Sequence, residues 1–187
     1  MIYFTADLHL GHKNVVQLCH RPFSTAEEMD EALISRWNDR VGKKDTVYIV
    51  GDLLWDKKQV AAYLSRLQGQ KILITGNHDA QWLKAPGAAD FFQQILPYLQ
   101  LRTEGRSLTL CHYPLLEWAG SRPDDGKHMG YLIHGHIHNR IDPLYDSLFR
   151  RPHALNAGVD INHYRPVTFE ELLENNMRFK AQLLKED

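Results

Sequence analysis

Five short blocks of the sequence carry residues able to do chemistry: Asp7-Leu8-His9, Gly51-Asp52, Gly76-Asn77-His78-Asp79, His112 and His134-Gly135-His136-Ile137-His138. Carboxylate oxygen and imidazole nitrogen suit Mn, Fe, Zn and similar divalent ions. Only two cysteines occur, Cys19 and Cys111, so a structural zinc site built on clustered thiolates is not expected. Side chains at i and i+2 converge where the backbone curves. Asp7 and His9 can therefore grip one ion, and His136 and His138 can share an ion or serve two. Glycines at 51, 76 and 135 permit tight turns and close backbone approach. Each block alone has a bland reading, such as a turn for Gly-Asp or an Asx turn for Asn-His-Asp. Five blocks in order need a common cause, and a metal site supplies it. Two ions roughly 3.5–4 Å apart need a bridging carboxylate, for which Asp52 is the candidate.

Each block follows a candidate strand. Runs rich in β-branched and aromatic residues predict strands over 2–5, 46–50, 71–75, 107–110 and 131–133. Such continuous apolar runs suit strands covered on both faces, as in an α/β sandwich. Ligands gather at the carboxyl ends of strands in open α/β sheets, where all five blocks fall. Between the strands, Ser24 and Glu27 predict a capping box opening a helix that carries Met29, Leu33 and Trp37. A second helix is expected over 56–67, with Gly69 as its stop, and a third over 90–96. Thr168 and Glu171 form another capping box, ahead of Leu172 and Leu173. The polar stretch 117–130 reads as a long loop, either a lid or binding segment or a disordered insertion. No repeat or linker interrupts the chain, so one domain over 1–187 is expected.

Composition sets the outer bounds. With 187 residues, 43% of them apolar, wholesale disorder is excluded. Lys plus Arg number 22 and Asp plus Glu 23, a formal net charge of −1. Such a chain has no general attraction for long nucleic acid or for an anionic membrane, so a phosphate-bearing partner must be held locally. No apolar run approaches the ~20 residues of a membrane span. The amino-terminal residues lack the pattern of a signal peptide, which predicts a cytoplasmic protein with reduced thiols. Cys19 and Cys111 read as small core residues. Cys111 is expected on the strand face opposite His112, which argues against a Cys/His nucleophile.

The ordered set Asp7-x-His9, Gly51-Asp52, Gly76-Asn77-His78-Asp79, His112 and Gly135-His136-x-His138 resembles the calcineurin-like metallophosphoesterase superfamily over about residues 1–140. His12, Asn14, Arg21-Pro22-Phe23 and Asn156-Ala157-Gly158-Val159-Asp160 resemble a branch of small bacterial and phage phosphoesterases. The resemblance implies a four-layer αββα sandwich of two mixed sheets flanked by helices, with the active site at strand carboxyl ends. It also implies two divalent ions, Mn first, with Zn, Fe, Ni or Mg as alternatives. One ion would take Asp7, His9, Asp52 and His138, and the other Asp52, Asn77, His112 and His136. A hydroxide bridging the ions would attack phosphorus in line, His78 would assist the leaving group, and Asp79 would orient His78. Iron-containing relatives carry a Tyr ligand three residues after the bridging Asp. Here that position is Trp55, whose indole offers no lone pair to a metal, and this favours labile divalent ions.

Around this set, His12, Asn14 and Arg21 are candidate substrate contacts, Arg21 as a bidentate phosphate clamp. His134 is read as supporting the ligands or the fold. The expected activity is phosphodiester hydrolysis of a small substrate, with a nucleotide among the candidates. Phosphomonoesterase or nucleotide pyrophosphohydrolase action and a non-catalytic scaffold are the alternatives. A nuclease acting on long polyanions is disfavoured by the charge balance.

Overall fold

The structure, a computed structural model, describes residues 1–122 and 129–183. Its strands are β1 (Ile2–Thr5), β2 (Thr46–Val50), β3 (Gln70–Ile74), β4 (Gln94–Leu96), β5 (Leu99–Thr103), β6 (Arg106–Leu110), β7 (Tyr131–His134) and β8 (Ala154–Asn156). Its α-helices are α1 (Val15–Leu18), α2 (Ala26–Asn38), α3 (Val60–Leu64), α4 (Asp79–Trp82), α5 (Asp146–Phe149) and α6 (Phe169–Leu183). The strands form two four-stranded sheets, in the orders β1-β2-β3-β4 and β5-β6-β7-β8.

The four strands of the first sheet run parallel, because each returns to the next through helical turns. A single antiparallel bridge, Phe4 to Val167, extends it beside β1. The second sheet is mixed, since β5 and β6 pair as an antiparallel hairpin while β6, β7 and β8 run parallel.

Period-two alternation sorts the strand side chains into separate cores. Tyr3, Val47, Ile49 and Leu73 face an outer core shared with Met29, Leu33 and Trp37 of α2. Their neighbours Phe4, Tyr48, Val50, Ile72 and Ile74 face the second sheet, meeting Leu108, Leu110, Ile133 and Leu155. Leu132 and Ala154 point the other way, onto Leu148, Phe149 and Phe179. Three apolar layers thus separate four layers of structure, and strands buried on both faces show no polar side.

Several local expectations shift. The first capping box is displaced by one residue: Thr25 Oγ1 accepts from the Glu28 N–H, while the Glu28 carboxylate accepts from the Ser24 N–H. The Thr168/Glu171 box forms as expected, with both reciprocal bonds made. The helix expected over 56–67 shrinks to α3, because the Asp56 carboxylate accepts the Lys58 N–H and holds the chain in a turn. Residues 90–96 are a 3₁₀ turn followed by β4, since pairing with β3 outweighs local helical preference. The loop expected over 117–130 lies partly outside the described residues. Cys19 is buried and Cys111 is half-buried against the outer core of the second sheet. No described helix is long and apolar enough to cross a membrane.

Candidate metal centre

The turns after β1, β2, β3, β6 and β7 bring their polar blocks to one place. Asp7, His9 and His138 present donor atoms within 4.8 Å of one another, as do Asp7, Asp52 and His112. Asp52 Oδ2 is 3.7 Å from His9 Nε2 and 3.4 Å from His112 Nε2, so it reaches toward both groups. Asn77 Oδ1 is 3.1 Å from His112 Nε2 and 3.0 Å from His136 Nδ1. All seven residues expected as ligands are therefore gathered, with two carboxylates, Asp7 and Asp52, in the middle.

The backbone bends sharply to achieve this. Asp7, His9, Asp52, His136 and His138 all have positive φ, between 52° and 72°. Non-glycine residues avoid this left-handed region, and it persists where tertiary structure enforces it, commonly at functional sites. Asp7 and Asp52 hold their turns through hydrogen bonds: the His136 N–H donates to the Asp7 carboxylate and the His78 N–H to Asp52 Oδ1. Close approach also demands glycine. A Cβ on Gly51, already at φ +89°, would lie 2.2 Å from His112 Nδ1, and one on Gly135 would lie 2.7 Å from Asp7 Oδ2.

The electrostatics fit a cation. Burial raises the Asp7 carboxyl to about 6, against the pull of His138 and His112. Burial also acts upward on Asp52, but the His112 bond and charge overcome it and bring the carboxyl down to about 2. For His112, burial acts downward, and Asp52 and Asp7 outweigh it to raise the ring to about 9. His9 is driven well down by burial, and its Nδ1 is buried with no hydrogen-bond partner. A neutral imidazole with an unsatisfied buried nitrogen beside two carboxylates is suited to a divalent ion, whose binding would displace ring protons.

Supporting contacts correct two expectations. Asp79 does not orient His78. Its carboxylate is fully buried and accepts the N–H groups of Asp52, Leu53 and Gly76 and the Trp82 indole. It ties the Asp52 turn to the Gly76 turn. Arg21 is not a phosphate clamp either. Its guanidinium is buried, pairs twice with Asp160 and donates to the carbonyls of Leu8 and Asp7. Asp160 in turn accepts from His138 Nδ1 at 2.8 Å, which leaves the other ring nitrogen free to ligate. Asp160 belongs to the Asn156–Asp160 block that marks the resemblance, but residue type alone does not assign it this role. Asn156 opens the same block, and its role too comes from a tertiary contact: its amide donates to the His138 carbonyl. His134 is buried, bonds Gly135 O through Nδ1, and is held down to about 4 by burial, so it is a neutral part of the framework.

The open side of the cluster is formed by His78, Trp55, His12, Asn14 and Tyr113. The His78 side chain is 38% exposed, with Nε2 3.9 Å from Asp52 Oδ2. The His12 ring packs 3.9 Å from Trp55, and its Nδ1 accepts the Asn14 N–H.

Sequence comparison agrees with this geometry. The calcineurin-like phosphoesterase superfamily domain matches residues 2–158, which contain every ligand candidate. The chain belongs to this superfamily. Superfamily membership places it among metal-dependent phosphoester hydrolases. It is 32% identical over 177 residues to the uncharacterized protein MJ1445 of Methanocaldococcus jannaschii, with 92% of this chain and 89% of that protein covered. It is 28% identical over 186 residues to the Gene 66 protein of Mycobacterium phage D29, covering 87% and 89% respectively. Among solved structures, the AQ665 protein of Aquifex aeolicus superposes with a TM-score of 0.70 at 27% identity, covering 93% of this chain and 98% of that one. Relatives of similar length thus occur in an archaeon and in a phage.

Proposed function

We propose that this superfamily member is a phosphodiesterase that holds two divalent ions, preferably Mn, and hydrolyses a small substrate. The observation that carries the diester reading is the inward turn of Arg21 onto Asp160. Among the described residues, the side chains packed beside the cluster on its open side, His12, Trp55, His78 and Tyr113, carry no permanent charge, and the exposed Arg140 acts on His136 only through its field. A phosphomonoester is nearly dianionic at neutral pH and favours a fixed cation such as arginine. A diester carries one charge and needs none beyond the ions.

Asp7, His9, Asp52 and His138 would hold one ion, and Asp52, Asn77, His112 and His136 the other. Bound ions supply Lewis acidity toward the phosphoryl oxygens and activate water near neutral pH. His78 supplies the proton that the departing alkoxide needs. Its backbone N–H is tied to Asp52 and its ring is exposed on the open side, as a proton donor to substrate requires. Trp55 backs that ring with centroids 4.8 Å apart, which limits its rotation.

The test is hydrolysis of bis-p-nitrophenyl phosphate against p-nitrophenyl phosphate by metal-stripped protein supplied with Mn, Ni, Zn or Mg. Metal-dependent cleavage that favours the diester is expected. His78→Ala should lower turnover of a diester with an alkoxide leaving group roughly 10²–10⁴-fold, with bound metal unchanged. It should lower turnover of bis-p-nitrophenyl phosphate much less, because nitrophenolate departs unprotonated. Preference for the monoester, or no turnover with any metal, would overturn the diester reading.

A further inference from the structure

Two exposed aromatic rings lie beside the cluster. Three of the four tryptophans are buried and bond their indole N–H inside the protein: Trp37 to Gln68 O, Trp82 to Asp79 Oδ1 and Trp118 to Gly130 O. Trp55 is 45% exposed and Tyr113 is 47% exposed. Isolated exposed aromatics are ordinary, but these two both lie against candidate ligands. Trp55 packs on His12, His78 and His9, with centroids 3.9, 4.8 and 6.4 Å away. Tyr113 packs edge-on to His136 and His112, at 4.8 and 5.3 Å. The rings thus flank different halves of the cluster. Their backbones are anchored to the site: Trp55 donates its N–H to Leu10 O, and Tyr113 directly follows His112.

We propose that Trp55 and Tyr113 are stacking surfaces for the two bases on either side of a scissile phosphodiester, so that the substrate is a short nucleotide diester. This deepens the phosphodiesterase reading and rests on it. A chain of net charge −1 has no general attraction for a long phosphate backbone. Recognition then falls to the planar groups next to the reacting phosphate. Every base has a π face, so stacking binds nucleotides with little sequence preference.

The experiment compares dithymidine monophosphate with thymidine methyl phosphate, a diester lacking one base, on the full Mn-loaded chain. Cleavage of bis-p-nitrophenyl phosphate is followed in parallel. The two-base substrate should have the higher kcat/KM, chiefly through KM. Trp55→Ala and Tyr113→Ala should each lower its kcat/KM roughly 5- to 150-fold and reduce the preference for the second base. Trp55→Phe and Tyr113→Phe should retain most of both. If bis-p-nitrophenyl phosphate is cleaved but the second base confers no advantage, or the alanine variants keep the full preference, the stacking proposal fails while the phosphodiesterase reading stands. If no diester is cleaved, both fail together.

Discussion

Arg21 illustrates how far residue type and spacing reach. Its guanidinium could bind a phosphate or a carboxylate equally well, and only the fold decides between them by burying it against Asp160. The ligands were legible because Asp, Asn and His at strand ends have few other reasons to cluster. The block holding Asn156 and Asp160 was visible as part of the resemblance, but their roles were not, because both act through tertiary contacts. Asp79 was found but given the wrong partner, since its direction depends on the turn that follows β3. The chain Arg21–Asp160–His138 makes a prediction at this scale. Arg21→Lys loses the paired contact, loosens His138, and should weaken metal binding about 10- to 100-fold in a calorimetric titration. The KM of the fully loaded protein should change little. A raised KM with unaltered metal affinity would restore Arg21 as a substrate clamp.

At the scale of elements, the strands with both faces covered announced themselves as unbroken apolar runs, and β1 and β2 match their expected bounds. β4 and β8 escaped notice because three residues are too few to show a pattern. β5 escaped because its hairpin turns through Glu104 and Gly105, both at positive φ, and Glu is not a usual residue for such a turn. Asp30 shows an element tied to the loop that serves the site. From α2 it accepts the Gly11 N–H and the Tyr63 hydroxyl, and burial raises its carboxyl to about 6 from 3.8. Because the folded value lies above the unfolded one, the folded state favours the protonated form. The resulting stability is complete below about pH 3.8 and is lost as the pH rises through about 6. Asp30→Asn keeps an acceptor for Gly11 and adds a donor toward Tyr63. It should raise Tm at about pH 7.5, by up to roughly 3 kcal/mol of stability, and give no gain at about pH 4.

For the whole molecule, the decisive arrangement is the meeting of two sheets. The first contributes Asp7, His9, Asp52 and Asn77, and the second contributes His112, His136 and His138. The four layers were implied by family resemblance and not by any local pattern, because sheet pairing depends on contacts distant in sequence. Ions held between the sheets would bind the folded chain alone and so stabilise it. Asp52 stands at the centre of this arrangement, reaching toward His9 on one side and His112 on the other. The most direct measurement is the metal-to-protein ratio of Mn-loaded wild type and Asp52→Asn after removal of free metal, with circular dichroism confirming that both are folded. About two ions per wild-type chain and a loss at both sites in the variant are expected for a bridged pair. A variant that keeps two ions, or a wild type that binds none, would contradict a two-ion centre built on Asp52.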